Sequence, residues 1–367
     1  MRLKKGPPDF ILFISAITLL GIGLIMVFSS SAVTANVNYG DSYYFFKKQL
    51  LWAVIGIFAM VAAMKLNFSR LHDFAVPLMV LAVVLLILVV TPLGREVKGS
   101  SRSFDLGFMR FSPSELAKVA LVLFLAKAMD HKLGKISSSF TAGALPFLVM
   151  AAIICGLIML QPDLGTAFTI AATVFFMLLV AGAKWSHLGV LMLSGIGAIG
   201  AAISIAPYRM ERVMAFLNPW KYASDEGFQT IQSLYALGSG GLFGMGLGRS
   251  RQKFFYLPEQ HTDFIFAILG EELGFIGCSV VVALFLLLAW RGYKIAINAP
   301  DNFSRLLAAG LTTIIVFQAM VNIAVVSGAL PVTGITLPFL SYGGTSLLFT
   351  MIVVGLLLNI SRYSTRT

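Results

Sequence analysis

Residues 10–28 read FILFISAITLLGIGLIMVF, an apolar run with no charged side chain from Phe10 to Phe28. As a helix rising 1.5 Å per residue, a run of this length spans a hydrocarbon layer of about 30 Å. Arg2, Lys4 and Lys5 precede it, a pattern shared with secretory leaders. The run is longer than a leader's apolar core, which points to an uncleaved first membrane helix. Comparable runs follow at about 50–65, 75–91, 114–130, 141–160, 165–183, 188–206, 264–290, 306–328 and 344–360. The expected fold is therefore an all-α polytopic membrane protein of about ten transmembrane helices. An even number of crossings puts both termini on one side.

Composition agrees. Of 367 residues, 58% are hydrophobic and 12% are charged, against roughly 25% charged in a soluble domain. A soluble fold is excluded, and so is disorder, which needs low hydrophobicity and high charge. Cys155 and Cys278 lie inside apolar runs, so no disulfide framework is visible. The net charge is +11 without a contiguous basic tract, which argues against nucleic acid and for anionic lipid or an anionic ligand.

With the long loop 207–263 set aside, Lys and Arg concentrate on the side of the N-terminus, which makes both termini cytoplasmic. Loops 92–112 (Arg95, Lys98, Arg102, Arg110) and 207–263 (Arg209, Arg212, Lys221, Arg249, Arg251, Lys253) are then outer and unusually basic. They are either ordinary solvated loops or a site for an anionic ligand. The chain reads as one membrane domain, 1–367, with its large extracellular loop between helices 7 and 8.

No phosphate loop, H-E-x-x-H or C-x-x-C motif is present. The densest polar cluster ends the long loop: Leu257-Pro258-Glu259-Gln260-His261-Thr262-Asp263-Phe264, with Glu271 and Glu272 beyond. A carboxylate at that edge is partly desolvated, the condition that favours a general base. The plainer role for Asp263 is to cap the eighth helix. Glu259, His261 and Asp263 at alternate positions are also compatible with a divalent cation such as Mg or Mn. Upstream, Gly238-Ser239-Gly240-Gly241-Leu242-Phe243-Gly244-Met245-Gly246-Leu247-Gly248 precedes Arg249, Arg251 and Lys253. That stretch suits either a phosphate nest or close packing. Glu115 and Lys118, three apart on the fourth helix, form an ion pair or line a cavity, or both. Gln161-Pro162-Asp163 is a short outer turn in which Asp163 either caps the sixth helix or binds ligand. The Gly/Pro-broken segment 334–346, which includes Ser341, has the look of a substrate border.

Residues 161–166, 238–277 and 328–346 resemble the signature blocks of the SEDS (shape, elongation, division and sporulation) family, and the likeness runs nearly end to end. Leu330–Gly344 and Phe254-Phe255-Tyr256-Leu257-Pro258 are most similar to its division and sporulation branch, the latter to the sporulation form. The resemblance implies a peptidoglycan glycosyltransferase polymerising lipid II on the outer face of the bacterial cytoplasmic membrane. It implies Asp263 as the essential carboxylate and a polar cavity near Glu115 and Lys118. The implied partners are a class B penicillin-binding protein and the divisome or sporulation cell-wall machinery, with a septal location. Other substrate-contact candidates are Arg102, Gln161, Asp163, Arg251, Lys253, Glu259, His261 and Ser341. Two positions depart from the family: Arg102-Ser103-Phe104 lacks the loop Trp many members carry, and Ser112-Pro113-Ser114-Glu115 stands where Gln-Pro-Ser-Glu is usual. The competing expectations are a lipid II flippase, drawn from Glu115 and Lys118 inside the membrane, and a scaffold that only recruits an enzyme.

Overall fold

The computed structural model describes residues 6–363 apart from 67, 93, 98, 99, 106, 108 and 109. Arg2, Lys4, Lys5 and Lys98, which entered the charge reading, lie outside the described residues. In chain order the elements are α1 (Phe10–Tyr39), α2 (Tyr44–Lys65), α3 (Phe68–Val90), β1 (Arg95–Val97), β2 (Ser100–Asp105), β3 (Arg110–Phe111), α4 (Pro113–Asp130), α5 (Leu133–Ser138), α6 (Leu145–Met159), α7 (Leu164–Val180), α8 (Trp185–Ile205), α9 (Pro207–Leu217), α10 (Phe228–Gly240), α11 (Ile265–Ile297), α12 (Asn302–Val326) and α13 (Gly344–Ser361). Each of the ten apolar runs forms a helix. Eight of these, among the described residues, are long and apolar enough to cross a membrane. The other two are α7, which is shorter, and α4, whose charges set it apart. The protein is a multi-pass membrane protein.

Helix ends follow local chemistry. Asp9 caps α1, its Oδ1 accepting from Leu12 N at 3.0 Å. The helix runs well past residue 28 because Ser29, Ser30 and Ser31 are buried rather than exposed. It stops at Gly40, left-handed at φ 70, whose N–H donates to Asn36 O. Loop 92–112 holds a small antiparallel sheet, β1-β2-β3, that apolar patterning did not reveal. The long outer loop also has structure of its own: α9, a 3₁₀ turn at Pro219–Tyr222, and α10.

α12 and α13 form the buried centre, against which α2, α4, α7 and α11 pack. α8 stands at the periphery, with Leu188 as its single buried residue. The two chain ends meet at one end of the bundle. Gly6 N–H donates to Arg362 O at 2.7 Å, Asp9 N–H to Ser361 Oγ at 3.0 Å, and the Arg291 guanidinium grips the Asp9 carboxylate. Loops 40–43, 92–112, 160–163, 206–264 and 327–343 gather at the opposite end.

α11 changes character at Gly274, whose φ of 66° and ψ of −165° break the helix. Residues 265–272 are buried on every side, whereas Phe275, Ile276, Val280, Leu286 and Trp290 below the break are exposed to the surrounding lipid. A turn of the outer loop fills the break: Phe275 N–H donates to Gly241 O at 2.9 Å and Ile276 N–H to Leu242 O at 3.2 Å. Glycine is required on both sides of this crossing. A Cβ on Gly274 would meet Gly244 N at 2.3 Å, and one on Gly244 would meet Glu272 O at 2.2 Å.

Candidate functional site

Asp263 sits at the mouth of the buried half of α11, one residue before the N-cap position, which is Phe264. The capping role that spacing allowed for Asp263 therefore falls on a residue without a capping side chain. Both sides of the Asp263 peptide are pinned. Asn322 on α12 donates through Nδ2 to Asp263 O and to Ile335 O, each at 2.7 Å. Ser341 Oγ donates to Thr262 O at 2.6 Å and accepts from Leu337 N at 2.8 Å, and Tyr342 N–H donates to His261 O at 2.9 Å. Ser341, expected at the substrate border, thus spends its hydroxyl stitching the two outer segments together. Glu259 turns the chain in the left-handed region at φ 55, and its Oε2 accepts from Thr262 Oγ1 at 2.9 Å.

Arg102 reaches the same spot from β2. Its Nε donates to Gln161 O at 2.9 Å and its Nη2 to Pro162 O at 2.5 Å. A Cβ on Gly334 would lie 3.7 Å from Asp263 Oδ2 and 3.9 Å from Arg102 Nη1, so carboxylate and guanidinium converge over a residue without a side chain. Gln161 supports this from below, buried, with Nε2 donating to Leu86 O at 3.4 Å. Asp163 takes the plainer of its two expected roles: its Oδ1 caps α7 through Thr166 N at 3.0 Å, and Oδ2 accepts from Thr166 Oγ1 at 2.7 Å.

A polar seam descends between α4, α12 and the segment leading to α13. Lys118, 4% exposed, donates to Glu115 Oε1 at 3.0 Å and Gln318 Oε1 at 2.6 Å. Gln318 Nε2 donates to Thr336 O at 3.0 Å, and Thr336 Oγ1 lies 3.3 Å from Ser346 Oγ. Glu115, Lys118, Gln318, Pro338, Phe349 and Thr350 line a cavity. Both expectations for the Glu115–Lys118 pair hold at once: it is an ion pair and it lines a cavity. Lys118 stands about 8 Å along α4 from Pro113. Every buried α4 residue beyond it, from Val119 to Met129, is apolar.

The Gly-rich stretch packs against α11, Met245 N–H donating to Glu271 O at 2.9 Å and Gly246 N–H to Glu272 O at 3.0 Å, and the segment just after it spends its N–H groups on two carboxylates. Arg251 N–H donates to Glu271 Oε1 at 2.9 Å, Gln252 N–H to Glu271 Oε2 at 3.3 Å, and Ser250 N–H to Glu272 Oε1 at 3.3 Å. Lys253 is buried, with its ammonium 3.0 Å from Glu272 Oε1 and donating to Gly248 O at 2.6 Å. Ser29 on α1 donates to the same Glu272 carboxylate at 2.6 Å. This corrects the expectation of a nest with Lys253 aimed at ligand: two protein carboxylates occupy the anion's place. The Arg251 side chain remains exposed on the outer surface.

His261 packs against Phe45 at 4.6 Å and Tyr342 at 5.7 Å between ring centroids. Burial pushes its imidazole down from the usual pKa, partly opposed by the Glu259 charge. Its Nδ1 is buried without a hydrogen-bond partner. No group of three His, Cys, Asp or Glu side chains gathers among the described residues, so the Glu259–His261–Asp263 alternation does not assemble a cation site. Phe104 pairs with Phe111 between β2 and β3.

Asn322, Gln318, Gln49 and Ser29 were missed by sequence reasoning. A signal existed for two of them: Gln318 and Asn322 lie four apart in an apolar run, and a polar pair at that spacing inside a membrane helix marks one functional face.

A sequence profile of the cell cycle protein family FTSW_RODA_SPOVE matches residues 10–366. The stage V sporulation protein E of Bacillus subtilis is 49% identical, over 99% of this chain and 100% of its own. A probable peptidoglycan glycosyltransferase FtsW of Trichlorobacter lovleyi is 43% identical, over 96% of this chain and 93% of its own. A chain of a peptidoglycan synthase complex that coordinates polymerization and crosslinking superposes with a TM-score of 0.80 at 33% identity, over 97% of this chain and 98% of that one. The rod shape determining protein RodA of Thermus thermophilus superposes at 0.73 with 30% identity, over 98% of both chains.

Proposed function

The chain belongs to the SEDS family of cell cycle proteins, and on that premise we propose that it is a peptidoglycan glycosyltransferase that polymerises lipid II on the outer face of the cytoplasmic membrane. The observation that carries this reading is the meeting of Asp263 and Arg102 over Gly334 at the loop end of the bundle, directly above the polar seam. A donor used on that face must be lipid-linked, because nucleotide sugars are absent there. Two relatives bear names or descriptions of peptidoglycan synthesis, which supports the same substrate class.

In this mechanism Asp263 takes the proton from the N-acetylglucosamine 4-hydroxyl of incoming lipid II. That oxygen attacks the anomeric carbon of the lipid-linked growing chain. Undecaprenyl diphosphate leaves, and the α-linked donor becomes a β-linked product in one inverting displacement. Diphosphate is already a good leaving group, so charge stabilisation outweighs acid catalysis. We assign that role to Arg102 and to the exposed Arg251, and the binding of the buried part of the donor to Lys118 and Glu115. Lys253, neutralised by Glu272, and Ser341, Gln161 and Asp163, committed to loop and helix partners, act by shaping the site. Glu259 and His261 hold the turn that presents Asp263. General-base assistance is worth roughly 10²–10⁴-fold.

A lipid II flippase would need the seam to continue to the opposite face. On α4 the buried residues between Val119 and Met129 are all apolar, so the seam does not continue along that helix, which favours polymerisation. We also propose a class B penicillin-binding protein partner, which the likeness to a synthase complex supports, and a place at the division or spore septum, which the sporulation and FtsW relatives support.

The test is polymerisation of labelled lipid II by the purified protein, alone and with a class B penicillin-binding protein, with and without EDTA. Glycan ladders from the wild type and none from Asp263→Asn are expected. An Asp263→Asn variant within about twofold of wild type would remove the base assignment. Polymer from neither preparation, together with headgroup transfer across liposomes, would establish transport instead.

A further inference from the structure

Aromatic side chains crowd one corner of the loop end. Tyr39 closes α1, Tyr43 stands in the linker, and Tyr44 and Phe45 open α2. Tyr39 and Tyr44 stack with centroids 3.8 Å apart and planes within 10°. Tyr44 meets Phe45 edge to face at 5.3 Å, and Phe45 meets His261 at 4.6 Å and Tyr342 at 5.0 Å. The rings thus form a ladder from the exposed surface to His261, two residues from Asp263. Its outer rung is open, Tyr39 being 53% exposed, and beside it Tyr43, 52% exposed, stacks on Phe28 of α1 at 5.0 Å and widens the open face. Lys48 lies 4.3 Å from the Tyr44 centroid and donates to its hydroxyl, and Lys47 is held by Asp41 at 2.8 Å.

The ladder is rigidly registered to the site. Gln49, fully buried on α2, donates through Nε2 to Ser341 O at 3.1 Å and accepts from Gly343 N–H at 3.2 Å. Ser341 is the residue whose hydroxyl holds Thr262 O. α2 and the Asp263 segment therefore share one clamp. Tyr residues at a membrane edge commonly serve as an interfacial belt. A belt would distribute rings around the bundle, each facing lipid. These stack on one another and lead inward.

We propose that this ladder is a binding track for the pyranose rings of a β-linked polysaccharide strand as it leaves Asp263. The proposal rests on reading the site as a glycan polymerase. β-linked pyranoses present flat C–H faces that pack on aromatic rings, while their equatorial hydroxyl and acetamido groups point sideways toward the tyrosine hydroxyls and Lys48. A polymerase that adds lipid II repeatedly to one strand needs such a hold between additions, because after each transfer the lipid-linked end of the strand must move from the acceptor to the donor position while the older sugars stay with the enzyme.

The test uses the full chain in detergent. The probe is a fluorescent un-crosslinked strand of alternating N-acetylglucosamine and N-acetylmuramic acid, and binding is read by anisotropy. The double variant Tyr39→Ala, Tyr43→Ala should bind it about tenfold more weakly, as expected for losing two aromatic contacts. Both positions are surface positions, so the fold should survive. Tyr39→Trp with Tyr43→Trp should restore binding, whereas Trp185→Ala, on the exposed face of α8, should leave it unchanged. With lipid II, the alanine pair should yield markedly shorter strands. Equal strand affinity in wild type and the alanine pair, or equal loss in Trp185→Ala, overturns the track and leaves an interfacial belt. The binding arm needs no turnover, so a chain that fails to polymerise lipid II defeats the polymerase reading separately.

Discussion

Replacing Lys118 by methionine separates the stabilising and functional roles of the polar seam. Methionine keeps most of the aliphatic stem and volume, so little cavity forms. What disappears is the ammonium held by Glu115 and Gln318. The Glu115 side chain, 15% exposed, is left without its cation. Removing one partner of a buried pair typically costs about 3–5 kcal/mol. The cavity beside Glu115 admits some solvent, which places the expected loss near 3 kcal/mol, roughly a hundredfold in the folding equilibrium. The double variant Glu115→Gln, Lys118→Met removes both charges and should recover most of that loss, leaving about 1 kcal/mol for the Gln318 carbonyl. Stability is read by urea titration in mixed micelles and activity by lipid II polymerisation. The single variant should be unstable and inactive, the double variant stable and inactive. Wild-type stability in Lys118→Met, or a double variant no better than the single one, would refute the energetic reasoning. A double variant that polymerises normally would remove the pair from the substrate path.

Other expectations follow from the outer loop. Gly244→Ala places a Cβ 2.2 Å from Glu272 O at a left-handed residue, so the 245–253 segment must leave α11; protease cleavage near Arg249 and Arg251 should rise severalfold. Lys253→Met strands Glu272 at 0% exposure and should cost about 3–5 kcal/mol, with faster hydrogen exchange across 249–256, while adding Glu272→Gln should reverse most of it. Burial lowers the His261 pKa, so the unfolded chain takes up a proton as pH falls below about 6.5 while the folded chain resists it. Stability should therefore decline from pH 7.5 to 5.5, and His261→Phe should flatten that dependence in paired Tm measurements. Asn322→Leu frees Asp263 O and Ile335 O together and should lower kcat for polymerisation with a smaller change in KM, because it disturbs the bearing of the base rather than the donor pocket.

The bundle was legible because a membrane helix must be apolar for a fixed length, and eight of the ten runs meet that demand among the described residues, while α7 and α4 form helices beside them. The β1-β2-β3 sheet was not, because short polar strands in a loop carry no periodic signal. Asp263 and Arg102 were legible as charges on the outer side, yet their meeting depends on Gly334, an absence of side chain that sequence cannot locate. Asp163 offered two readings of equal standing, and a capping hydrogen bond to Thr166 decided between them. Of its two readings the Gly-rich stretch took close packing, with Gly240 against Gly270 and Gly244 against Glu272. The N–H groups of 250–252 just beyond it do meet anions, but these are the protein's own Glu271 and Glu272, about twenty residues on. Ser29 and Gln49 look like incidental polar residues in apolar runs until the loops they hold are seen.

The break at Gly274 makes α11 two mechanical parts carried by one stretch of chain. The upper part bears Glu271 and Glu272, is enclosed by protein and is bonded to the 241–253 segment; the lower part rests against lipid. A partner that pushes on the outer loop would tilt the upper part as a short lever about Gly274 and displace Asp263, which sits on its tip. The lower part, and with it the lipid-facing outline of the bundle, would hardly move. Control of the reaction from outside would then need no rearrangement of the membrane-spanning frame.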